Sequence, residues 1–162
     1  MFLLRYLYIL ALVIWLGGLI VAGAIVAPSV FAVLQASSPS DGRVLAGAVF
    51  GDVLRRVHLL GYALGGAMLV ALTVQRVLGP RPVRYGVRTA IVGTMLGASL
   101  ISGYVINPRV AAIARKVEGP IASLSDTDAR RIEFYRLHGW SNLLLVSTAL
   151  GGLVLLAWEA RE

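Results

Sequence analysis

Four long apolar segments dominate this sequence and restrict what it can fold into. They cover about residues 6–34, 57–75, 87–107 and 137–158 and contain almost no charged residues. A helix needs roughly 20 predominantly apolar residues to cross the hydrocarbon core of a bilayer. No segment alternates apolar and polar residues with a period of two, the pattern of a membrane strand. The sequence therefore predicts an all-α integral membrane bundle of four transmembrane helices.

The composition agrees with a membrane location. The chain has 162 residues, of which 58% are hydrophobic and only 14% charged, and its mean hydropathy is +0.82. A soluble domain is about a quarter charged. The net charge of +7 comes mainly from arginines at the ends of the apolar segments, which is typical of membrane topology and not of a nucleic-acid-binding face. We therefore expect a lipid bilayer around the protein and no nucleic-acid partner.

Helix signals extend two of the helices beyond their apolar cores. Asp41 can cap the second helix, and Ser125 with Asp128 resembles a capping box ahead of the fourth. We expect one domain over residues 1–162. Its four helices should cover about residues 4–34, 43–78, 85–114 and 127–159.

An internal repeat emerges from the rarest residue types of the sequence. Pro28 stands as far before His58 as Pro108 stands before His138. Shifting the sequence by 80 residues therefore aligns both pairs. We call this alignment the repeat register. These are the only two histidines of the chain, and each has an arginine at the second position before it. The matching spacing favours a duplicated helical hairpin.

A duplicated hairpin would bring the polar residues of both copies together. The copies, residues 1–80 and 81–162, would form a parallel repeat about an axis along the membrane normal. Both histidines would then lie at equal depth on one face of the bundle, and they could approach each other if both face the axis. The polar residues of this face form the candidate site: Arg56, His58, Tyr62, Asn107, Arg109, Arg136, His138 and Asn142.

These polar residues also have a simpler interpretation. Polar groups inside a membrane are costly and usually face the bundle interior, where they can form hydrogen bonds between helices. Arg136 can extend along apolar surface to the headgroups. Pro108 should bend or end the third helix near Asn107, and Pro28 should do the same to the first. The freed carbonyls, Asn107 and Arg109 could frame a small polar vestibule.

Several motifs resemble one known family, the bacterial domain of unknown function 4149, which is related to eukaryotic transmembrane protein 205-like proteins. The resemblance covers nearly the whole chain and implies a four-helix integral membrane protein, but it implies no activity. The residues expected to be structural are Trp15, Gly17, Gly18, Pro28 and Pro108. The motifs are "WLGG" (15–18), "APSVF" (27–31), "AGAVFGDVLRRVHLLG" (46–61), "SGYVINPRV" (102–110) and "RRIEFYRLHGWSNLL" (130–144).

Three functional interpretations stay open. The first is a non-enzymatic structural or accessory component of the membrane, whose partner is a second copy or another membrane protein. The second is a haem- or metal-binding protein in which His58 and His138 ligate haem b or a metal ion. The third is a small transporter or export factor, although the apolar cores contain no acidic residue. Catalytic motifs are missing, so we predict that the protein is not an enzyme.

The distribution of arginines gives a prediction of orientation. The face with the termini carries six arginines against nine basic residues on the other, but its short loop is the more densely basic. Because short basic loops stay in the cytoplasm, we expect both termini there, with the protein in the bacterial inner membrane. The six are Arg5, Arg76, Arg81, Arg84, Arg88 and Arg161.

Overall fold

Four helical spans make up the protein in a computed structural model, which describes residues 2–79 and 84–161. Each span is long and apolar enough to cross a membrane, and no strand occurs among the described residues. This confirms the prediction of an all-α protein with four transmembrane helices. In order, the spans are Phe2–Ser37, Gly42–Leu78, Tyr85–Arg115 and Ala129–Glu159.

The first and third spans each consist of two α-helices joined by a π-helical turn, whereas the second and fourth are single α-helices. The first span contains α1 (Phe2–Val21), the turn π1 (Ala22–Val26) and α2 (Ala27–Ser37). The second span is α3 (Gly42–Leu78). The third contains α4 (Tyr85–Leu100), the turn π2 (Ile101–Ile106) and α5 (Asn107–Arg115), and the fourth is α6 (Ala129–Glu159).

The chain stays helical through both membrane prolines. Pro28 and Pro108 are each the second residue of the α-helix that follows a π-helical turn. The widened π-helical turn directly before each proline is where the helix accommodates the proline ring and the hydrogen bond lost with its N–H. The third span therefore does not end near Asn107, as one form of our prediction had it, but continues to Arg115.

The spans pack as a square. The helix α1 contacts α3 and α6, and α4 contacts the same two helices on the opposite side. Large apolar side chains fill the centre, while many others face outward, as a lipid environment allows. The most deeply buried include Tyr8, Leu12, Trp15, Leu19, Met68, Leu72, Val92 and Leu155.

Glycines of α3 give the indole of Trp15 its place in the core. A Cβ atom on Gly61 would lie 2.6 Å from Trp15 Nε1, and one on Gly65 would lie 3.0 Å from Trp15 Cζ3. By contrast, a Cβ on Gly17 or Gly18 would meet no heavy atom within 4 Å. Of the expected structural residues, Trp15 is therefore a core residue, while the two glycines that follow it do not hold a close contact.

The start of α6 is fixed by Asp128. Its carboxylate accepts a hydrogen bond from the Arg130 backbone N–H at 2.8 Å, and the Arg130 side chain donates to it as well. These bonds lower the pKa of Asp128 to about 2. Ser125 bonds to Thr127 at 3.0 Å between the hydroxyl oxygens, so Asp128 alone is the cap. Asp41 precedes α3 without a capping side-chain bond, which our prediction did not anticipate.

Candidate functional site

The histidine of the first hairpin is buried against two tyrosines. His58 is only 4% exposed, and its ring stacks on Tyr62 with centroids 6.2 Å apart. Tyr62 in turn stacks on Tyr104 of π2 at 5.5 Å. Gly103 makes this possible, because a Cβ at that position would collide with the Tyr62 hydroxyl. The result is a ladder of three flat rings between the second and third spans.

The two ring nitrogens of His58 are the exceptional feature of this ladder. Both Nδ1 and Nε2 are buried, and neither makes a hydrogen bond within the part of the chain that the structure describes. Buried polar atoms of native proteins nearly always have a partner, so an orphaned group needs an explanation. A water or another ligand at His58 would supply one.

The other polar groups between these spans do have partners. The Tyr62 hydroxyl donates to the carbonyl oxygen of Ser99 at 3.2 Å, which joins the second span to the third. The hydroxyls of Ser102 and Ser141 lie 3.2 Å apart, and Ser141 also donates to Asn107 Oδ1 at 3.1 Å. These bonds join the third span to the fourth.

Asn107 was identified from the sequence, but Ser102 was not. In a π-helical turn, hydrogen bonds close between residues five apart, so residues with that spacing share a side of the helix. The Asn107 backbone N–H indeed donates to the Ser102 carbonyl. The spacing alone could have suggested the pair if the π-helical turn had been foreseen.

The remaining predicted site residues are exposed. His138 stacks on Phe134 of its own helix, with ring centroids 6.0 Å apart. Asn142, Arg109 and Arg136 are also exposed. Two imidazoles that share one haem must face the same iron, and a buried ring paired with an exposed one does not provide that arrangement within one chain.

Nearby carboxylates show whether the charge of Arg56 is paired and whether the side chains could hold a metal ion. Arg56 is exposed and its Nε donates to Asp52 Oδ2 at 2.8 Å, so its charge is paired at the surface. Among residues 2–79 and 84–161, no three His, Cys, Asp or Glu side chains come together in a way that could hold a metal ion. Of the predicted site, His58 is the residue whose buried side-chain nitrogens have no hydrogen bond among the described residues.

A second polar cluster lies at the opposite end of the bundle, near the termini. Glu159 of the fourth span pairs with Arg5 of the first, at 3.2 Å between Arg5 Nε and Glu159 Oε2. Its other oxygen pairs with Arg88 of the third span, and both of these side chains are buried. We call Arg5, Arg88 and Glu159 the ion cluster. It ties three of the four spans together.

The sequence analysis missed the ion cluster because it treated Arg5 and Arg88 as topology charges. One signal was available. Glu159 ends a long apolar helix, where the helix dipole disfavours a negative charge and lipid disfavours any charge. A glutamate in that position indicates a cationic partner, and arginine is the residue best suited to a buried pair. Arg81, the remaining loop arginine, lies outside the described residues.

Comparisons with known proteins identify a family for this chain. Neither the curated proteins nor the solved structures include a match to the chain. One family model matches residues 10–118, which is well over half of the sequence. The relation to transmembrane protein 205-like proteins stays a prediction. The chain belongs to the family described as Domain of unknown function (DUF4149).

Proposed function

We propose that this membrane protein is a non-enzymatic structural or accessory component of the bilayer. The observation that carries the proposal is how its buried polar groups are used. Ser102, Ser141 and Asn107 bond to one another across two spans, and Arg88 pairs with Glu159 across two spans. Groups paired in this way hold helices together, and none of them forms a nucleophile–base arrangement of the kind that hydrolytic enzymes use.

Removing the Ser141 hydroxyl, which bonds to both Ser102 and Asn107, tests whether these groups hold the helices together. The variant Ser141→Ala should lower the free energy of unfolding in detergent by about 0.6 kcal/mol, the average for interhelical hydrogen bonds in membranes. Ser147→Ala, at an exposed position on the same helix, is the matched control and should change it little. A purified sample whose hydrolytic or redox activity disappears in Ser141→Ala or His138→Ala, with stability unchanged, would contradict the proposal.

The cellular setting belongs to the same proposal. We place the protein in the bacterial inner membrane with both termini in the cytoplasm and with a second copy or another membrane protein as its partner. The support is the short arginine-rich connection between the second and third spans. A reporter that works only in the cytoplasm should be active when fused after residue 161. If instead a reporter that works only in the periplasm is active there, the orientation is reversed.

A second candidate function rests on His58. Its two buried nitrogens form no hydrogen bond with residues 2–79 or 84–161, which favours a bound ligand such as haem b or a metal ion. An absorption spectrum of the detergent-solubilised protein, oxidised and reduced, with metal analysis of the same sample, tests this. A Soret band lost in His58→Ala but kept in His138→Ala supports ligation by His58 alone. A featureless spectrum without stoichiometric metal rejects a cofactor that survives purification.

We also propose a duplicated hairpin as the origin of the fold. Three observations support it, all in the repeat register. The helices α2 and α5 begin at Ala27 and Asn107, and a π-helical turn precedes each. An apolar groove lies in each half, and six lining positions of one correspond to six of the other. An experimental structure would establish the repeat if residues 4–79 superpose on 84–159 by a half-turn about an axis along the membrane normal. A superposition that needs an axis in the membrane plane would exclude it.

A further inference from the structure

Two apolar grooves run along the outside of the bundle. One lies between α1 and α3 and has a volume of about 380 Å³, and the other lies between α4 and α6 with about 320 Å³. Small side chains form the second groove, among them Ala90, Ala98 and Gly151. Both grooves open toward the lipid side, so their occupant must come from the membrane.

The dimensions of the groove between α4 and α6 suit an acyl chain. Its lining on α4 runs from Val87 to Ala98, which at a rise of about 1.5 Å per residue is roughly 16 Å. That is about half of the ~30 Å hydrocarbon core, or the depth of one leaflet. A transmembrane helix is about 10–12 Å across with its side chains, so a cavity of about 320 Å³ is too small to enclose one.

A cationic residue marks the headgroup end of this groove. The guanidinium of Arg84 lies over the ring of Trp158, 5.3 Å from its centroid, and Arg84 precedes Val87 by one helical turn. It is also the N-cap of α4, whose first turn contains no acidic residue. A helix N-terminus carries partial positive charge and free N–H groups, which adds to the attraction for an anion.

Among the residues that the structure describes, the positions of the first hairpin that match Arg84 and Trp158 are uncharged. In the repeat register, Arg84 and Trp158 correspond to Leu4 and Leu78, and Leu4 itself lines the groove between α1 and α3. The two grooves therefore share six lining positions but differ in the residues at these two matching positions. This difference distinguishes a specific site from general attraction to lipid.

We infer that the groove between α4 and α6 binds one acyl chain of an anionic phospholipid, whose phosphate is held by Arg84 at the N-terminus of α4. The chain fills the space beside Ala90 and Thr94. The groove between α1 and α3 accepts acyl chains without preference for the headgroup.

The inference can be tested with spin-labelled lipids. The full-length protein is reconstituted into phosphatidylcholine vesicles that contain a trace of either chain-labelled phosphatidylglycerol or chain-labelled phosphatidylcholine. The motionally restricted fraction of each label gives a relative association constant. One arginine at the headgroup level should favour phosphatidylglycerol by about fivefold.

Paired variants separate the site from its alternatives. Arg84→Gln should abolish the fivefold preference, whereas Arg76→Gln should retain it, although Arg76 also lies over an aromatic ring, 4.7 Å from the centroid of Tyr85. Equal losses in the two variants would mean diffuse attraction to a basic surface and would overturn the inference.

Filling the grooves provides the second comparison. Thr94→Leu or Ala90→Leu should remove the preference, and Ala67→Leu, which fills the groove of the first hairpin, should not. Two filling variants are used so that misfolding of one does not decide the result. A preference unchanged in both would overturn the inference. If the wild-type protein is a dimer in detergent and both filling variants are monomers, a second copy occupies the groove, and this too would overturn the inference.

Discussion

The two hairpins of this protein share a backbone plan but differ in chemistry. Each has a π-helical turn ahead of a membrane proline and an apolar groove. Yet His58 is buried in a ring ladder while His138 is exposed, and Tyr8 in the first half corresponds to the buried Arg88 in the second. The shared features preserve the packing of the spans. The features that differ carry the charges, the hydrogen bonds and the proposed lipid site.

The largest expected effect concerns Glu159, which pairs with the buried Arg88 of its own hairpin and with the partly exposed Arg5 of the other. Replacing Glu159 by Ala leaves Arg88 buried without its carboxylate, and breaking a buried ion pair costs about 3–5 kcal/mol. The free energy of unfolding in detergent should fall by that amount. Glu118→Gln, at an exposed position, serves as the control. If Arg88→Tyr, which copies the first hairpin, rescues Glu159→Ala, the two halves are interchangeable at this position.

The next effect lies in the first hairpin, at the contact between α3 and Trp15. In Gly61→Ala the new methyl group would lie 2.6 Å from Trp15 Nε1, and overpacking of this kind costs about 1–3 kcal/mol. The matched control is Gly66→Ala, where no heavy atom lies within 4 Å of the added Cβ. Equal stabilities of the two variants would contradict the close contact that the structure describes.

Chemical reactivity compares the two histidines directly. Diethyl pyrocarbonate should modify His138 in the detergent-solubilised protein roughly ten times faster than His58, because His58 reacts only when the bundle opens locally. Mass spectrometry of proteolytic peptides gives both rates in one sample. Similar modification rates for His58 and His138 would contradict the difference in burial between the two histidines.

The smallest effect concerns the starts of the two helices that carry the histidines. Asp128 caps α6 with a pKa of about 2, held down by its bonds to Arg130, whereas Asp41 makes no capping bond before α3. The pKa is lower in the folded state, so the cap contributes above the unfolded pKa and is lost as pH falls through 2. The protection of amides at the start of α6, measured relative to their intrinsic exchange rate at each pH, should fall over that range. Asp128→Asn should remove this pH dependence.

Much of the fold could be predicted from sequence because membrane spans have a strong one-dimensional signal. The four apolar segments sufficed for the number and the helical nature of the spans. The π-helical turns were not foreseen, because Pro28 and Pro108 indicate only that a hydrogen bond is lost and not how the helix adapts.

The site was harder to predict because periodicity does not give the rotation of each helix. His58 and His138 occupy matching sequence positions, but only His58 faces the interior. The ion cluster was missed for a related reason, since an arginine that ends a span looks the same whether it reaches the headgroups or turns inward to Glu159.

A π-helical turn holds one residue more than the α-helical turn that it replaces, and this applies to both π1 and π2. Deleting one residue from π2 would restore an unbroken α-helix at little local cost. It would also rotate α5 relative to α4 by about 100° and shift it by about 1.5 Å along the axis. Asn107 would then turn away from Ser141. The length of this turn, more than any side chain in it, determines which face of the third span meets the fourth.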